Sequence, residues 1–174
     1  SVVNAARVSF GKRVTEMSEK DERLIHYLAE HEHYSPFNHT FLTVHCKAPI
    51  YIARQLVKHK FMPWNEQSRR YIDDEPEWGM PVWRSRPEGS IKQGSGHKLE
   101  AHEISKADAD AQGAYKLALT VYLSMIRRGV APEQARSVLP QGVYTEWFWS
   151  GTVGAFTDMY NLRSDKNAQV ECQE

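Results

Sequence analysis

An α+β fold is predicted for this chain: one domain built on a mixed or antiparallel sheet flanked by helices. Three observations carry the expectation. Runs of helical period and runs of β-branched and aromatic residues are mixed without a strict strand–helix–strand rhythm. At 174 residues the chain is long enough for one hydrophobic core and short for two. An aliphatic and aromatic share of 41% fits a globular domain.

The elements follow in order. Ser18 with Asp21 three residues on is an N-cap and capping-box pattern, and Leu24, Tyr27, Leu28 and His31 recur at helical spacing behind it. Ser35-Pro36 stops that helix. Thr40 to Lys47 reads as a strand with Phe41, Thr43 and His45 on one face and Leu42, Val44 and Cys46 on the other. Pro49 suits the first position of a second helix running from Ile50 to about Lys60, ended by Pro63. Residues 62–71 show no period and are dense in polar groups, the mark of a loop. The stretch from Asp73 to Gly96, rich in Pro, Gly and Ser, is expected to be irregular, with a short strand at Met80–Arg84. A long helix is expected from a Ser105 cap to Arg128, stopped by Gly129, with Ala109, Leu117, Val121 and Met125 as its apolar stripe for core or subunit packing. Pro132 opens a short helix through Ser137, Val143 to Trp149 alternates as a strand, and Gly151 to Leu162 reads as the last helix. Tyr144, Trp147, Phe148 and Trp149 are read as core or subunit interface.

Composition narrows the function classes. Lys and Arg balance Asp and Glu at a formal net charge of zero, which argues against a whole-surface grip on nucleic acid or anionic membrane. No apolar run reaches membrane-spanning length, and no charged-then-apolar leader opens the chain. Cys46 and Cys172, far apart, make no disulfide framework, so a cytoplasmic setting is expected and Cys46 reads as a small core residue. His31, His33, His39 and His45 lack the helical pairing or cysteine spacing of a metal site, and none is expected. Either terminus is expected to continue in a longer parent chain.

The densest polar cluster runs from Arg54 and Gln55 through Lys58, His59 and Lys60 to Asn65, Glu66, Gln67, Ser68, Arg69 and Arg70. On a continuous helix Arg54 and Lys58 would share one row, and Gln55 and His59 the next. Cations at a helix C-terminus complement its dipole, which accounts for two of them. An Asn-Glu-Gln-Ser-Arg-Arg loop following at once is the inventory for a phosphate and the amide edges of a base, so an anion or nucleotide site is expected here.

Lys58-His59-Lys60 followed by Asn65, Ser68 and Arg70 resembles the signature of the flavin-dependent thymidylate synthases, Arg-His-Arg-x-x-Ser-x-Asn-x-x-Ser-x-Arg. The likeness continues, in the family's order, through Asn4-Ala5-Ala6-Arg7-Val8-Ser9, His33-Tyr34-Ser35-Pro36-Phe37-Asn38-His39, Lys47-Ala48-Pro49-Ile50, Ala135-Arg136, Leu139-Pro140, Tyr144-Thr145, Asn161-Leu162-Arg163 and Ala168-Gln169. The resemblance implies conversion of deoxyuridylate (dUMP) to thymidylate. Methylenetetrahydrofolate would supply the carbon and FAD, reduced by NADPH, the hydride, in a homotetramer with active sites at subunit interfaces. By position it implies His33, Ser35, Lys58, His59, Lys60 and Glu66 around FAD. It implies Gln55, Glu66, Gln67, Ser68, Arg70, Arg136 and Arg163 around deoxyuridylate, with Arg163, Ser68 and His33 nearest the chemistry and no metal. Members typically extend past both ends of this chain.

Two departures stand out. Lysines at 58 and 60 replace signature arginines and lose the planar fork, and Pro63 replaces a serine and so loses a hydroxyl and an amide donor. These bear on flavin affinity and leave as the alternative a non-catalytic nucleotide- or RNA-binding protein of the same fold; a metal-dependent nucleotide hydrolase, which bound zinc would mark, is a third reading.

Overall fold

In the computed structural model, which describes residues 1–89 and 94–173, β1 (Phe41–Pro49), β2 (Trp64–Glu66) and β3 (Tyr144–Thr152) form an antiparallel sheet in the order β1-β3-β2. β3 therefore has a neighbour on each edge. Its residues alternate strictly, with Thr145, Trp147, Trp149 and Gly151 buried and Phe148 exposed between them. That period of two directs one face to the core. Opposite them in register stand Ala48, Cys46, Val44 and Leu42, the face expected from sequence. On the other face His45 stacks on Phe148, with ring centroids 4.8 Å apart.

The core on the buried face is largely aromatic. Trp64 of β2 lies parallel to Trp147 at 4.3 Å and edge-on to Trp149 at 5.6 Å. Trp149 in turn meets Phe156 edge-on at 5.4 Å. α3 (Ile50–Leu56) contributes Ala53 to this core and α6 (Val153–Arg163) contributes Ala155, Phe156 and Met159. Gly151 is a strand residue, and α6 begins two residues later than expected. A Cβ at Gly151 would press on Met62 at 3.1 Å, so the glycine permits a close approach, while Thr152 caps the helix by accepting the Ala155 amide at 3.0 Å.

Other boundaries differ from the sequence expectation. α3 stops at Leu56, not Lys60. A turn follows, and Phe61 takes a left-handed φ of 61° that sends the chain back as β2, inside the stretch expected to be loop. Three residues are too few to show a period. α4 (Ala101–Arg127) starts a turn earlier than Ser105, because Glu100 takes the cap, its side chain accepting the Glu103 amide while the Glu103 carboxylate accepts the Glu100 amide at 3.3 Å. Gly129, at φ 82°, ends it as expected. The expected stripe on α4 faces outward: Leu117 is 67% and Val121 38% exposed, whereas Tyr122 is fully buried. Met80–Arg84 is not a strand. Ladder pairing of that region among the described residues is two isolated bridges, Trp78 to Val143 and Arg84 to Lys98.

Around this frame lie α1 (Val2–Arg7), α2 (Glu19–Glu30), α5 (Pro132–Ala135) and α7 (Val170–Gln173). α1 and α7 had no sequence signal of their own. α1 is held to α2 by an ion pair, Arg7 to Asp21 at 2.5 Å, with Asp21 only 1% exposed. The expected cap is present, Asp21 accepting from the Ser18 hydroxyl at 2.6 Å and the Ser18 amide at 3.0 Å.

The Ser18 hydroxyl, then the Ser18 amide and Arg7, hold the Asp21 carboxyl below its ordinary range against the opposing effect of burial. A depressed folded pKa means its stabilisation is present at neutral pH and lost as pH falls through that value. Asp21→Asn should therefore lower the melting temperature at pH 7, and the gap to wild type should close below the ordinary carboxylate range; a gap constant with pH would contradict this. The Tyr122 hydroxyl is buried without a partner among the described residues. Tyr122→Phe should raise stability by about 1 kcal/mol in thermal unfolding, where loss of a used hydrogen bond would lower it.

Candidate active site

Pairing of β2 with β3 lays Glu66, Gln67 and Ser68 along one edge of the sheet, the Gln67 amide donating to the Glu146 carbonyl at 2.8 Å. Glu66 is fixed from both sides. The Thr145 hydroxyl donates to Oε1 at 2.8 Å and the Trp64 indole to Oε2 at 3.2 Å. Arg136 arrives from the turn after α5, its Nε donating to the Glu133 carbonyl at 3.2 Å. Together with Arg54 of α3 and Arg69, these groups bound a cleft of about 410 Å³ whose apolar wall includes Ile50, Leu139 and Val143. Three arginines against one carboxylate make the cleft cationic. Arg69 also pins the loop, giving Nη1 to the Asp74 carbonyl at 2.7 Å and to its carboxylate at 2.9 Å. Arg70 is not among the cleft's lining residues. It lies 3.7 Å from Glu133 and over the Tyr71 ring, while its amide donates to the Ser68 hydroxyl at 3.3 Å.

A second group forms where the chain leaves α3. Arg163, at the end of α6, donates Nε to His59 Nε2 and Nη2 to the Gln55 carbonyl, both at 2.9 Å. The Gln55 side chain is engaged by α7 and the residue before it: its amide nitrogen donates to Gln169, and its oxygen accepts from the Cys172 thiol at 3.6 Å. Burial, and then the nearby Arg163 charge, push the His59 pKa down; burial pushes Cys172 up. His59, Lys60 and Phe61 line a cavity of about 540 Å³ with Asn38, Thr152 and Asp158. The Thr152 hydroxyl donates to the Asn38 side-chain oxygen at 2.9 Å, which leaves the Asn38 amide N–H groups to donate elsewhere.

His33 and Ser35 belong to a third place, a cavity of about 700 Å³ between α1 and α2 that Arg7 and Lys20 also line. One chain thus gathers Glu66, Gln67, Ser68 and Arg136, and separately Gln55, His59 and Arg163. It does not gather His33 and Ser35 with His59 and Lys60, and Lys58 is exposed. Since α3 ends at Leu56, the helical rows expected for Lys58 and His59 are interrupted.

Sequence reasoning left Arg54 and Arg69 in the polar cluster without a role, and gave none to Thr145, Asn38 or Asp158. Alternation on β3 marks Thr145 as inward-facing, and a three-residue step on α6 places Asp158 with Ala155. Among the described residues no group of three or more His, Cys, Asp or Glu could hold a metal ion, and no helix is long and apolar enough to cross a membrane.

The thymidylate synthase complementing protein family matches residues 1–174. A flavin-dependent thymidylate synthase of Kosmotoga olearia is 39% identical over 178 residues, spanning all of this chain and 75% of the relative. That of Thermosipho africanus is 36% identical over all of this chain and 76% of its own length. Among solved structures, the UMP/dUMP methylase PolB of Streptomyces cacaoi bound with 5-Br UMP superposes with a TM-score of 0.78 at 30% identity, covering 93% of this chain and 69% of that one. With a match along its whole length and relatives well above the level at which kinship is secure, the chain belongs to the thymidylate synthase complementing protein family, the family of the flavin-dependent thymidylate synthases.

Proposed function

We propose that this enzyme methylates deoxyuridylate to thymidylate, taking the carbon from methylenetetrahydrofolate and the hydride from FAD reduced by NADPH. The observation that carries the reading is the convergence of Arg136, Ser68, Gln67 and Glu66, from distant segments, on one cationic cleft. A dianionic phosphate is held by guanidinium groups and a hydroxyl, which Arg136, Arg54 and Ser68 supply. Gln67 and the immobilised Glu66 offer amide and carboxylate groups to a base or sugar.

Arg163 suits the uracil carbonyl on which charge develops. Nε and Nη2 are held within the protein, so Nη1 remains to donate, and a donor fixed in advance needs no reorganisation as charge builds.

The residues present fit a flavin. Asn38 and Lys60 give the cavity beside His59 donors for a carbonyl-bearing edge, and Lys20 gives the cavity beside His33 and Ser35 a cation for a pyrophosphate. When bound, the flavin supplies the hydride chemistry; the chain supplies binding and orientation. Separation of these groups within one chain supports active sites completed between copies of a homotetramer. So do the exposed apolar side chains Phe10, Phe41, Leu117 and Phe148.

Purified protein should show an oxidised-flavin absorption spectrum that is released as FAD on denaturation. Protein that stays colourless when FAD is added yet binds deoxyuridylate would instead favour the non-catalytic reading. Arg136→Ala should weaken deoxyuridylate binding about tenfold or more by calorimetry while flavin binding persists; unchanged affinity would remove Arg136 from the phosphate site. Lys58→Arg should tighten flavin by restoring the fork, measured as a lower Kd in flavin fluorescence titration, and a looser flavin would sink that argument.

A further inference from the structure

We propose that His59 is a positioning residue for Arg163: a neutral imidazole, protonated at Nδ1, accepts the Arg163 Nε–H at Nε2 and so fixes the guanidinium that meets the nucleotide. This rests on the reading of Arg163 as a deoxyuridylate ligand, and it assigns His59 a role distinct from that of a cation facing the flavin.

The hydrogen bond itself dictates the protonation. A guanidinium has five donors and no acceptor, so the ring nitrogen 2.9 Å from Arg163 Nε must present a lone pair. The proton of the neutral ring then sits on Nδ1, the less common tautomer of a free histidine. A second tether closes the geometry. The Gln55 carbonyl, in the last turn of α3, accepts Nη2 at 2.9 Å, and carbonyls there lack a partner within the helix. Two acceptors at fixed positions determine the plane of the guanidinium as well as its place, which one acceptor cannot do.

The surroundings favour the neutral ring. Burial opposes the imidazolium, and Arg163 opposes it further. From β3, Trp149 presents an aromatic ring with its centroid 6.3 Å away, without charge. Lys60 beside it in sequence and Asp158 of α6 line the same cavity with opposite signs. Beyond Arg163 lie Cys172, whose thiol is held protonated by burial, and Glu171. Protonating His59 would remove the acceptor and set a second cation against the guanidinium, so nucleotide affinity should fall at acid pH.

Long-range proton–nitrogen NMR correlation on the intact enzyme labelled in histidine, with His59→Gln to assign the signal, tests the tautomer directly. The expected pattern is Nδ1–H with an unprotonated Nε2 at neutral pH; an Nε2–H ring or an imidazolium there overturns the proposal. Deoxyuridylate binding by calorimetry supplies the second arm. His59→Gln, whose side-chain oxygen can still accept, should bind as wild type does, and His59→Ala about tenfold more weakly. Because the nucleotide phosphate also titrates near pH 6, the acid loss assigned to His59 is the part present in wild type and absent from His59→Gln. Full affinity in His59→Ala overturns the positioning role while Arg163→Ala still binds poorly. Full affinity in Arg163→Ala overturns instead the reading of Arg163 on which the role depends.

Discussion

Hydrogen bonding of β3 on both edges is the constraint from which the rest of the arrangement follows. A strand paired on each side cannot rotate or slip without breaking two ladders, and a slip of one residue would send Trp147 and Trp149 to the opposite face. With the register held, the two indoles define the layer on which α3 and α6 pack. The helices inherit their positions from it. α3 leaves β1 directly, its first amide bonding back to the Val143 carbonyl at 2.9 Å, and α6 leaves β3 directly, its first amide bonding to the Thr40 carbonyl at 2.9 Å. Neither connection has slack, so a displacement of the sheet is passed to Gln55, His59 and Arg163 with little loss.

This explains how groups far apart in sequence reach hydrogen-bonding distance without a dedicated loop. Arg163 and His59 are 104 residues apart, Thr145 and Glu66 79. Each pair joins the ends of elements that already touch through the aromatic core. The polar network is thus an outgrowth of the packing, and its members share one rigid base. It also separates the site into a cleft at the β2 edge and a network at the ends of α3 and α6, because the two ends of that base lie apart.

Legibility in the sequence followed the length of each signal. The capping box of α2, both long strands and the glycine stop of α4 stood out because each is a local pattern several residues long or a residue with a single backbone role. β2 was invisible because three residues cannot display a period, although its pairing shapes the cleft. The start of α4 was misplaced because Glu100, paired with Glu103 in a capping box, does the work of a serine cap. The apolar stripe of α4 was legible as a face for core or subunit packing, and the single chain leaves it outward, because spacing identifies a face without saying what covers it. For the site, the residue types of the 54–70 cluster announced anion chemistry, and the family resemblance singled out Arg136 and Arg163. The hydrogen bonds to His59, Gln55 and Glu66 were beyond reach, since they depend on which side chains the tertiary fold brings together.

The irregular segment after β2 has a consequence of another kind. Glu77 accepts the Tyr144 amide at 2.8 Å, Trp78 stacks on Tyr115 at 4.3 Å, and Trp83 donates to Asp108 at 2.8 Å. Gly142 has no side chain because the Tyr115 hydroxyl occupies the space a Cβ would take. These ties divide a long excursion into short closed loops. Closing a loop costs entropy that grows with its length, so each tie shortens what the next must close. The attachments therefore reinforce one another although they share no atoms. Disturbing the Trp78–Tyr115 stack would loosen the Trp83–Asp108 bond it never touches, and two such losses together would cost less than the sum of each taken alone, because each single loss already includes the shared reinforcement.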